Sequence, residues 1–309
     1  MQQITKKELE SIDIEPNKIK RLFRKAYWLF SVYIWPQHDS MVLTRNGRLM
    51  FNSKDKTTGR ILHVWRNHEF IEMKETVELL VKEKIIEKPQ EGIVVDVGGY
   101  IGMSSTGFLL NDMFSKSLAF EPSPENFRLL EKNVALNGLE EKISAYNIAL
   151  SDEAGTLEFE LSTKNYGDNR VRKVSSQGSY GEEERSVIDI KADTFDNFLK
   201  ENPSIEQERI KFIWMDIQGH EANFIKGASK FLSEHKNIPV AMEFWPYAME
   251  RSGVIKEDFI SNINDLYANF YIMNKLSDGS QEIKNIERYY DELLNSGDSS
   301  SGLNILLFN

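Results

Sequence analysis

The chain has 309 residues, of which 40% are hydrophobic and 28% charged. That composition excludes a disordered chain and suits about two units at roughly 150 residues each. Lys and Arg number 38 against 48 Asp and Glu, a net charge of −10 that argues against nucleic acid as a partner. There is no cysteine, so disulfides, thiolate nucleophiles, zinc fingers and iron–sulfur clusters are excluded.

Residues 1–92 read as helical and aromatic, with one hairpin. The apolar stretch 26–35 is ten residues long, and a bilayer span needs about 20. The polar N-terminus shows no cleavable signal pattern, so the expectation is a cytoplasmic protein. Residues 18–35 combine Lys18, Lys20, Arg21, Arg24 and Lys25 with Leu22, Phe23, Tyr27, Trp28, Leu29, Phe30, Tyr33 and Trp35. Such a helix can lie on an anionic membrane. Apolar stripes at helical spacing more often face protein, so docking on the chain's own body or a dimer face is expected first. Residues 41–51 read as a hairpin around Asn46-Gly47. Residues 63–75 are rich in His, Trp, Arg and Glu.

From residue 93 short β-branched runs alternate with amphipathic helices. Strands are predicted over 93–95, 117–120, 143–148, 210–215 and 239–244; 93–95 is a continuous apolar run of the kind buried on both faces, and 239–244 reads as another buried strand. A helix is predicted from Ser104. Another opens with Ser123 as N-cap and Pro124 at its first position, carries Phe127, Leu130 and Val134 on one face, and ends at Asn137-Gly138. Strands at 156–161 and 187–190 flank a polar segment, 162–186, expected to be mobile. Ala222, Ile225, Ala228 and Leu232 mark a further helix, and one helix and two strands are expected after 245. Alternating β and α elements imply an α/β fold with a doubly wound, mostly parallel sheet. Residues 93–309 would form that domain, and 1–92 an extension covering the active site and contributing to substrate binding.

In such sheets ligands bind beyond the carboxyl ends of the strands. Asp96, Glu121, Asp216 and Glu243 stand at those ends. Asp96-x-Gly98-Gly99-x-x-Gly102 is a glycine turn, but Tyr100 replaces the second glycine of the dinucleotide fingerprint. A diphosphate wants that glycine and a free helix N-terminus, and an acid opening the turn repels it. Glu121, 25 residues on, is placed to accept both hydroxyl hydrogens of a ribose. A nucleoside with a cationic amino-acid tail and no phosphate is S-adenosylmethionine. The competing expectations are a non-catalytic nucleoside-binding module and a nicotinamide-dependent oxidoreductase.

Residues 48–246 resemble the FkbM family of class I methyltransferases. The segments that carry the resemblance are VVDVGGYIG from Val94, FEPSPENFRLLEKN from Phe120, NIALSD from Asn147 with Gly155 after it, and KFIWMDIQGHE from Lys211 running on to Lys226-Gly-Ala228. The resemblance implies a Rossmann-like methyltransferase fold, S-adenosylmethionine as cosubstrate, and O-methylation of a sugar, glycan or natural-product hydroxyl. By position it places Asp96, Gly98, Gly99, Tyr100 and Gly102 along the methionine side and Glu121-Pro122 at the ribose. It puts Ala149, Leu150 and Ser151 beside the adenine and Asp216 at the methyl group. Glu69 matches a Glu the family often carries ahead of the sheet. This chain departs from the family at Gly99-Tyr100, usually Ala-Asn, and at Gln218, commonly an acid.

A sulfonium is already activated, so alignment supplies much of the rate, but an alcohol acceptor must lose its proton. Asp216, His220 and Glu243 are the candidate bases. Asp216 and Glu243 would sit on adjacent strands, where a divalent cation is conceivable but thinly supported. Trp65, Trp214, Trp245 and Tyr247 offer flat faces of the kind sugars stack on.

Overall fold

The computed structural model describes residues 4–34, 39–174, 176–296, 298, 300 and 302–309; Trp35 and residue 175 of the polar segment fall outside them. The chain opens with α1 (Lys6–Glu10), α2 (Lys18–Tyr33), β1 (Asp39–Thr44), β2 (Gly47–Asn52), α3 (Thr58–Trp65) and α4 (Phe70–Lys82). It continues with β3 (Ile93–Val97), α5 (Met103–Leu110), β4 (Lys116–Phe120), α6 (Pro124–Leu136), β5 (Ile143–Tyr146), β6 (Ala149–Leu150), β7 (Gly155–Leu161), β8 (Arg170–Val171) and β9 (Ser186–Asp193). Next come α7 (Phe195–Glu201), β10 (Ile210–Met215), α8 (Glu221–Gly227), α9 (Ser229–Glu234) and β11 (Val240–Phe244). It closes with α10 (Pro246–Arg251), α11 (Lys256–Leu266), β12 (Asn269–Ile272), β13 (Gln281–Glu282), α12 (Ile286–Leu294) and β14 (Leu303–Phe308).

The central sheet has eight strands in the order β13-β12-β14-β11-β10-β3-β4-β5. From β5 to β11 every pairing is parallel, and β14 enters antiparallel between β11 and β12. The order reverses between β3 and β10, which opens a crevice beyond their carboxyl ends. Val95, Val97, Ile213 and Met215 belong to one core with Phe195, Phe224 and Phe231. Val94, Phe212 and Trp214 belong to the opposite core with Phe70, Met73 and Phe108. Both sheet faces are therefore covered, which is why these strands read as unbroken apolar runs.

The hairpin packs on α6 through two asparagines one helical turn apart. Asn133 Oδ1 accepts from Met50 N at 2.6 Å while its Nδ2 donates to Met50 O at 2.9 Å. Asn137 makes the same pair with Arg48, at 2.9 and 2.8 Å. The free edge of β2 is thus satisfied by side-chain amides standing in for a neighbouring strand.

Several expectations are corrected. The strands at 155–161 and 186–193 form, but in a second, four-stranded sheet of order β6-β9-β7-β8. Within the polar segment between them a few side chains are tied down: Arg170 and Arg185 are buried with Glu160 and Glu182. Arg185 reaches Asp168 Oδ2 at 2.5 Å and Glu160 Oε1 at 3.4 Å, and Arg170 contacts Asp168. Its polar composition reflects a buried ionic cluster, which single residues do not reveal. The hairpin turn is centred on Arg45 and Asn46, with Thr44 opposite Gly47, so Gly47 follows the turn. The helix after β10 breaks at Ala228 into two, and the C-terminal region holds three helices and three strands. Among the described residues no helix is long and apolar enough to cross a membrane.

Candidate active site

β3 ends at Val97, and the chain turns through Gly98 (φ 88°), Tyr100 (φ 48°) and Gly102 (φ 78°). A Cβ on Gly98 would lie 1.9 Å from the carbonyl oxygen of Asp216, so only glycine lets the turn lie against the end of β10. The amides of Gly98 and Gly99 both donate to the Phe120 carbonyl, at 3.0 and 2.8 Å. The turn is thereby tied to the end of β4, where Glu121 stands. Glu121 Oε2 accepts from Tyr100 N at 2.9 Å and Oε1 from Ser123 N at 2.8 Å. Burial outweighs these bonds and pushes its carboxyl up to about 8.

Tyr100 adopts its left-handed backbone without a glycine's freedom, and its hydroxyl donates to Asp55. Asp55 also accepts from Thr57 N at 3.0 Å and Tyr166 N at 3.3 Å. One carboxyl therefore joins the N-terminal extension, the glycine turn and the polar segment.

A cavity of about 190 Å³ opens between these parts. Of the residues singled out from sequence, Glu69, Gly98, Gly99, Tyr100, Glu121, Pro122, Ala149, Leu150, Asp216 and His220 line it. Thr57, Thr58, His68 and Glu69 bring the N-terminal extension into its wall. Among the described residues the lining holds no Lys or Arg, but three acids, Glu69, Glu121 and Asp216.

Four expected residues stand elsewhere: Glu243 lines an adjoining cavity, and three others lie in the surrounding structure. Asp96 is 1% exposed, and its Oδ2 accepts from Ser105 N at 3.0 Å and Ser105 Oγ at 2.5 Å. Its carboxyl holds the first turn of α5 instead of facing the cavity, and burial raises it to about 6. Gly102 is the N-cap of α5, packed on Leu130. Ser151 is turned to His220: its Oγ lies 2.8 Å from His220 Nε2.

His220 is corrected most. Its Nδ1 lies 2.8 Å from Ser252 Oγ, so both ring nitrogens are engaged by serine hydroxyls. It is 2% exposed, not the solvated first-turn residue its position suggests. Burial lowers it to about 4. A neutral imidazole held at both ends is poorly placed to take a proton from an acceptor.

Asp216 lies on the cavity wall, raised to about 7 by burial and then by the charge of Glu69. Gln218 Nε2 donates to Asp216 Oδ1 at 2.6 Å and to Glu243 Oε2 at 3.0 Å. Glu243 lines an adjoining smaller cavity with Glu69, Trp214 and Asp216, and burial followed by Asp216 holds it well above the usual carboxylate range. The amide therefore stands where a shared cation would sit. Among the described residues no three His, Asp or Glu side chains are grouped to hold a metal.

His68 is a residue that sequence reasoning passed over, although its segment was marked as His-rich. Its Nδ1 lies 3.1 Å from Glu69 Oε1 at the cavity wall. Burial lowers its basicity, but the neighbouring Glu69 outweighs this and the net shift is upward. Of the aromatics, Trp214 lines the cavity, whereas Trp65 lies on α3 beneath the Arg21 guanidinium. Trp245 and Tyr180 line a neighbouring cleft that shares Thr57, Asn165 and Gln218 with the first.

A sheet that reverses order at β3–β10, with a glycine turn after β3 and acids around the resulting cavity, defines a Rossmann-like α/β protein of the methyltransferase class. Residues 96–270 match the Methyltransferase FkbM domain, and the chain belongs to that family. It is 27% identical over 191 residues to methyltransferase sdnD of Sordaria araneosa, covering 55% of this chain and 71% of that protein. It is 26% identical over 186 residues to the 2-O-methyltransferase NoeI of Sinorhizobium fredii (strain NBRC 101917 / NGR234), covering 56% and 74%. The crystal structure of a methyltransferase FkbM from Methylobacillus flagellatus KT superposes with a TM-score of 0.39 at 15% identity, over 81% of this chain and 52% of that one. The oxidoreductase alternative is set aside: the family is one of methyltransferases, and the Gly98 and Gly99 amides that a diphosphate would need already donate to Phe120.

Proposed function

We propose that this methyltransferase moves the methyl group of S-adenosylmethionine to a hydroxyl of a polar small molecule or glycan. The observation that carries the reading is the charge of the cavity: three acids and no basic side chain other than histidine among the described lining residues. Such a wall gives a phosphate no cationic partner and gives a sulfonium with an ammonium tail carboxyls to face, whose ionisation a bound cation favours. Two further features fit the nucleoside. Asn126 Oδ1 is buried without a partner beside Glu121, so the two offer acceptors to a ribose diol. Ile148, Leu150 and Phe159 form an apolar stretch of wall suited to a purine face.

S-adenosylmethionine supplies a methyl carbon already activated by its sulfonium. Glu121 and Asn126 fix the ribose, and Glu69 and Asp216 face the positive end. An acceptor hydroxyl would have to lose its proton as its oxygen took the methyl group, and Asp216 would receive that proton, its raised affinity for protons near neutrality suiting a base. Gln218 holds that carboxyl from behind. The neighbouring cleft with Trp245 and Tyr180 is the acceptor's approach, and residues 1–92 close the cavity through Thr57, Thr58, His68 and Glu69. The relative named as a 2-O-methyltransferase supports oxygen as the methylated atom.

Calorimetric titration with S-adenosylhomocysteine, followed by label transfer from methyl-labelled cosubstrate to a panel of hydroxylated acceptors, tests the reading. Micromolar binding with label on oxygen is expected. Absence of binding sinks it, and binding without transfer to any acceptor leaves the non-catalytic nucleoside module.

A further inference from the structure

The strongest feature outside the site is α2. Trp28 and Ser31 are its buried residues, with Trp28 set against Phe51 and His63 at ring distances of 5.9 and 5.7 Å. Arg24 lies on the same inward side and donates to Val64 O at 2.8 Å. The helix thus meets the protein through a narrow, partly polar edge. Its opposite face carries Ile19, Leu22, Phe23, Leu29, Phe30 and Tyr33, each between 52% and 73% exposed. At 3.6 residues per turn these fall within one arc of about 120°. This inverts the usual arrangement, in which the apolar stripe faces the core.

Charge says what covers the face. Residues 18–34 contain Lys18, Lys20, Arg21, Arg24 and Lys25 and no acid, in a chain of net charge −10. Lys18 and Lys25 border one edge of the apolar arc and Lys20 the other, all three exposed. Lysines flanking an apolar face reach upward to anionic headgroups while the face enters the acyl boundary. A second copy is the poorer occupant. A second copy presents the same helix, which carries no acid, so it offers these lysines no opposite charge. Elsewhere among the described residues, exposed large apolar side chains are fewer on any one element: Ile71 and Val81 lie on α4 and Leu294 on α12, while Ile255 precedes α11. The helix has 16 residues and so spans only about 24 Å, and it lies along a surface rather than through it.

We infer that α2 is an interfacial helix that seats this protein on an anionic lipid bilayer, with Phe23 and Phe30 inserted and Lys18 and Lys25 at the headgroups, Lys20 being paired with Asp13 at 3.0 Å. Sedimentation of the full chain with phosphatidylcholine vesicles, with and without phosphatidylglycerol, tests this. Retention is expected on the anionic vesicles and is expected to weaken with added salt. Phe23→Ser with Phe30→Ser should weaken it by at least about tenfold. Lys18→Glu with Lys25→Glu should remove the preference for anionic lipid. Both pairs lie on the exposed face, so the thermal melt should be unchanged. Absence of retention on either vesicle overturns the proposal, as does equal retention on both. It is also overturned if light scattering shows a dimer that Phe23→Ser with Phe30→Ser dissociates, for then the occupant is a second copy.

Discussion

Gln218 and Glu243 meet at 3.0 Å across the ends of β10 and β11, and the same amide nitrogen lies 2.6 Å from Asp216 Oδ1. A neutral donor between two acids lets a buried carboxyl pair persist without a cation. Replacing it by Gln218→Glu removes the donor and adds a third carboxyl to the pair. The variant should lose about 1–3 kcal/mol, with a larger fall in melting temperature at pH 8 than at pH 5, and Mg²⁺ should recover part of the loss. Equal melting temperatures for the two proteins at both pH values would contradict this.

Asp216 is the proposed base. Asp216→Asn keeps the shape but cannot accept the acceptor's proton, so kcat should fall by roughly 10²–10⁴-fold. Calorimetric affinity for S-adenosylhomocysteine should change little. His220→Asn should reduce thermal stability, because Ser151 and Ser252 lose their common partner, while the pH–rate profile keeps its shape. A profile that loses its acidic limb in His220→Asn would return the histidine to the chemistry.

Glu121 serves binding rather than turnover. Glu121→Ala removes an acceptor of charge-assisted hydrogen bonds worth ~1.5–3 kcal/mol each, so the dissociation constant for S-adenosylhomocysteine should rise by one to two orders of magnitude. Saturating cosubstrate should restore most of kcat. A kcat loss that saturation does not relieve would place Glu121 in the chemical step.

The stability of the unliganded protein should fall as pH rises from about 6.5 to 8.5. Asp216, Glu121 and Glu221 are raised to about 7, 8 and 8, chiefly by burial. In the unfolded chain such groups ionise near pH 4. The folded form therefore holds protons that the unfolded form has released, at a cost of about 1.4 kcal/mol per pH unit for each proton. His63 and His220, lowered to about 4, act in the opposite direction, but only below about pH 6.5. Thermal melts across that range check the sign, and a melting temperature that rises with pH would refute it.

Asn133 closes the edge of β2 with two bonds, to Met50 N and Met50 O, and ties it to the glycine turn with a third, to Ile101 O. Asn133→Leu leaves those buried groups unpaired and should cost about 2–4 kcal/mol, read as a lower denaturation midpoint. An exposed helix position such as Glu131→Ala should change it by under about 0.5 kcal/mol.

The central strands, the glycine turn, Glu121 and Asp216 were legible in order because each depends on neighbours in the chain. Apolar runs mark strands covered on both faces, and the residue after such a run must stand at the sheet's carboxyl edge. The partners of those residues were not legible. Whether Asp96 faces ligand or Ser105, and whether His220 meets solvent or two serines, depends on side chains 9 to 69 residues away. The polar segment 162–186 looked mobile because charge normally seeks water. Only the packing of Arg170 and Arg185 against Glu160 and Glu182 lets those four charged groups stay buried. The basic aromatic helix was legible as amphipathic, but its rotation was set by how Trp28 fits between Phe51 and His63. Local pattern fixes which elements form and where their ends lie. Which polar groups meet, and which apolar face is left to solvent, is decided by long-range packing and desolvation, which no stretch of chain carries alone.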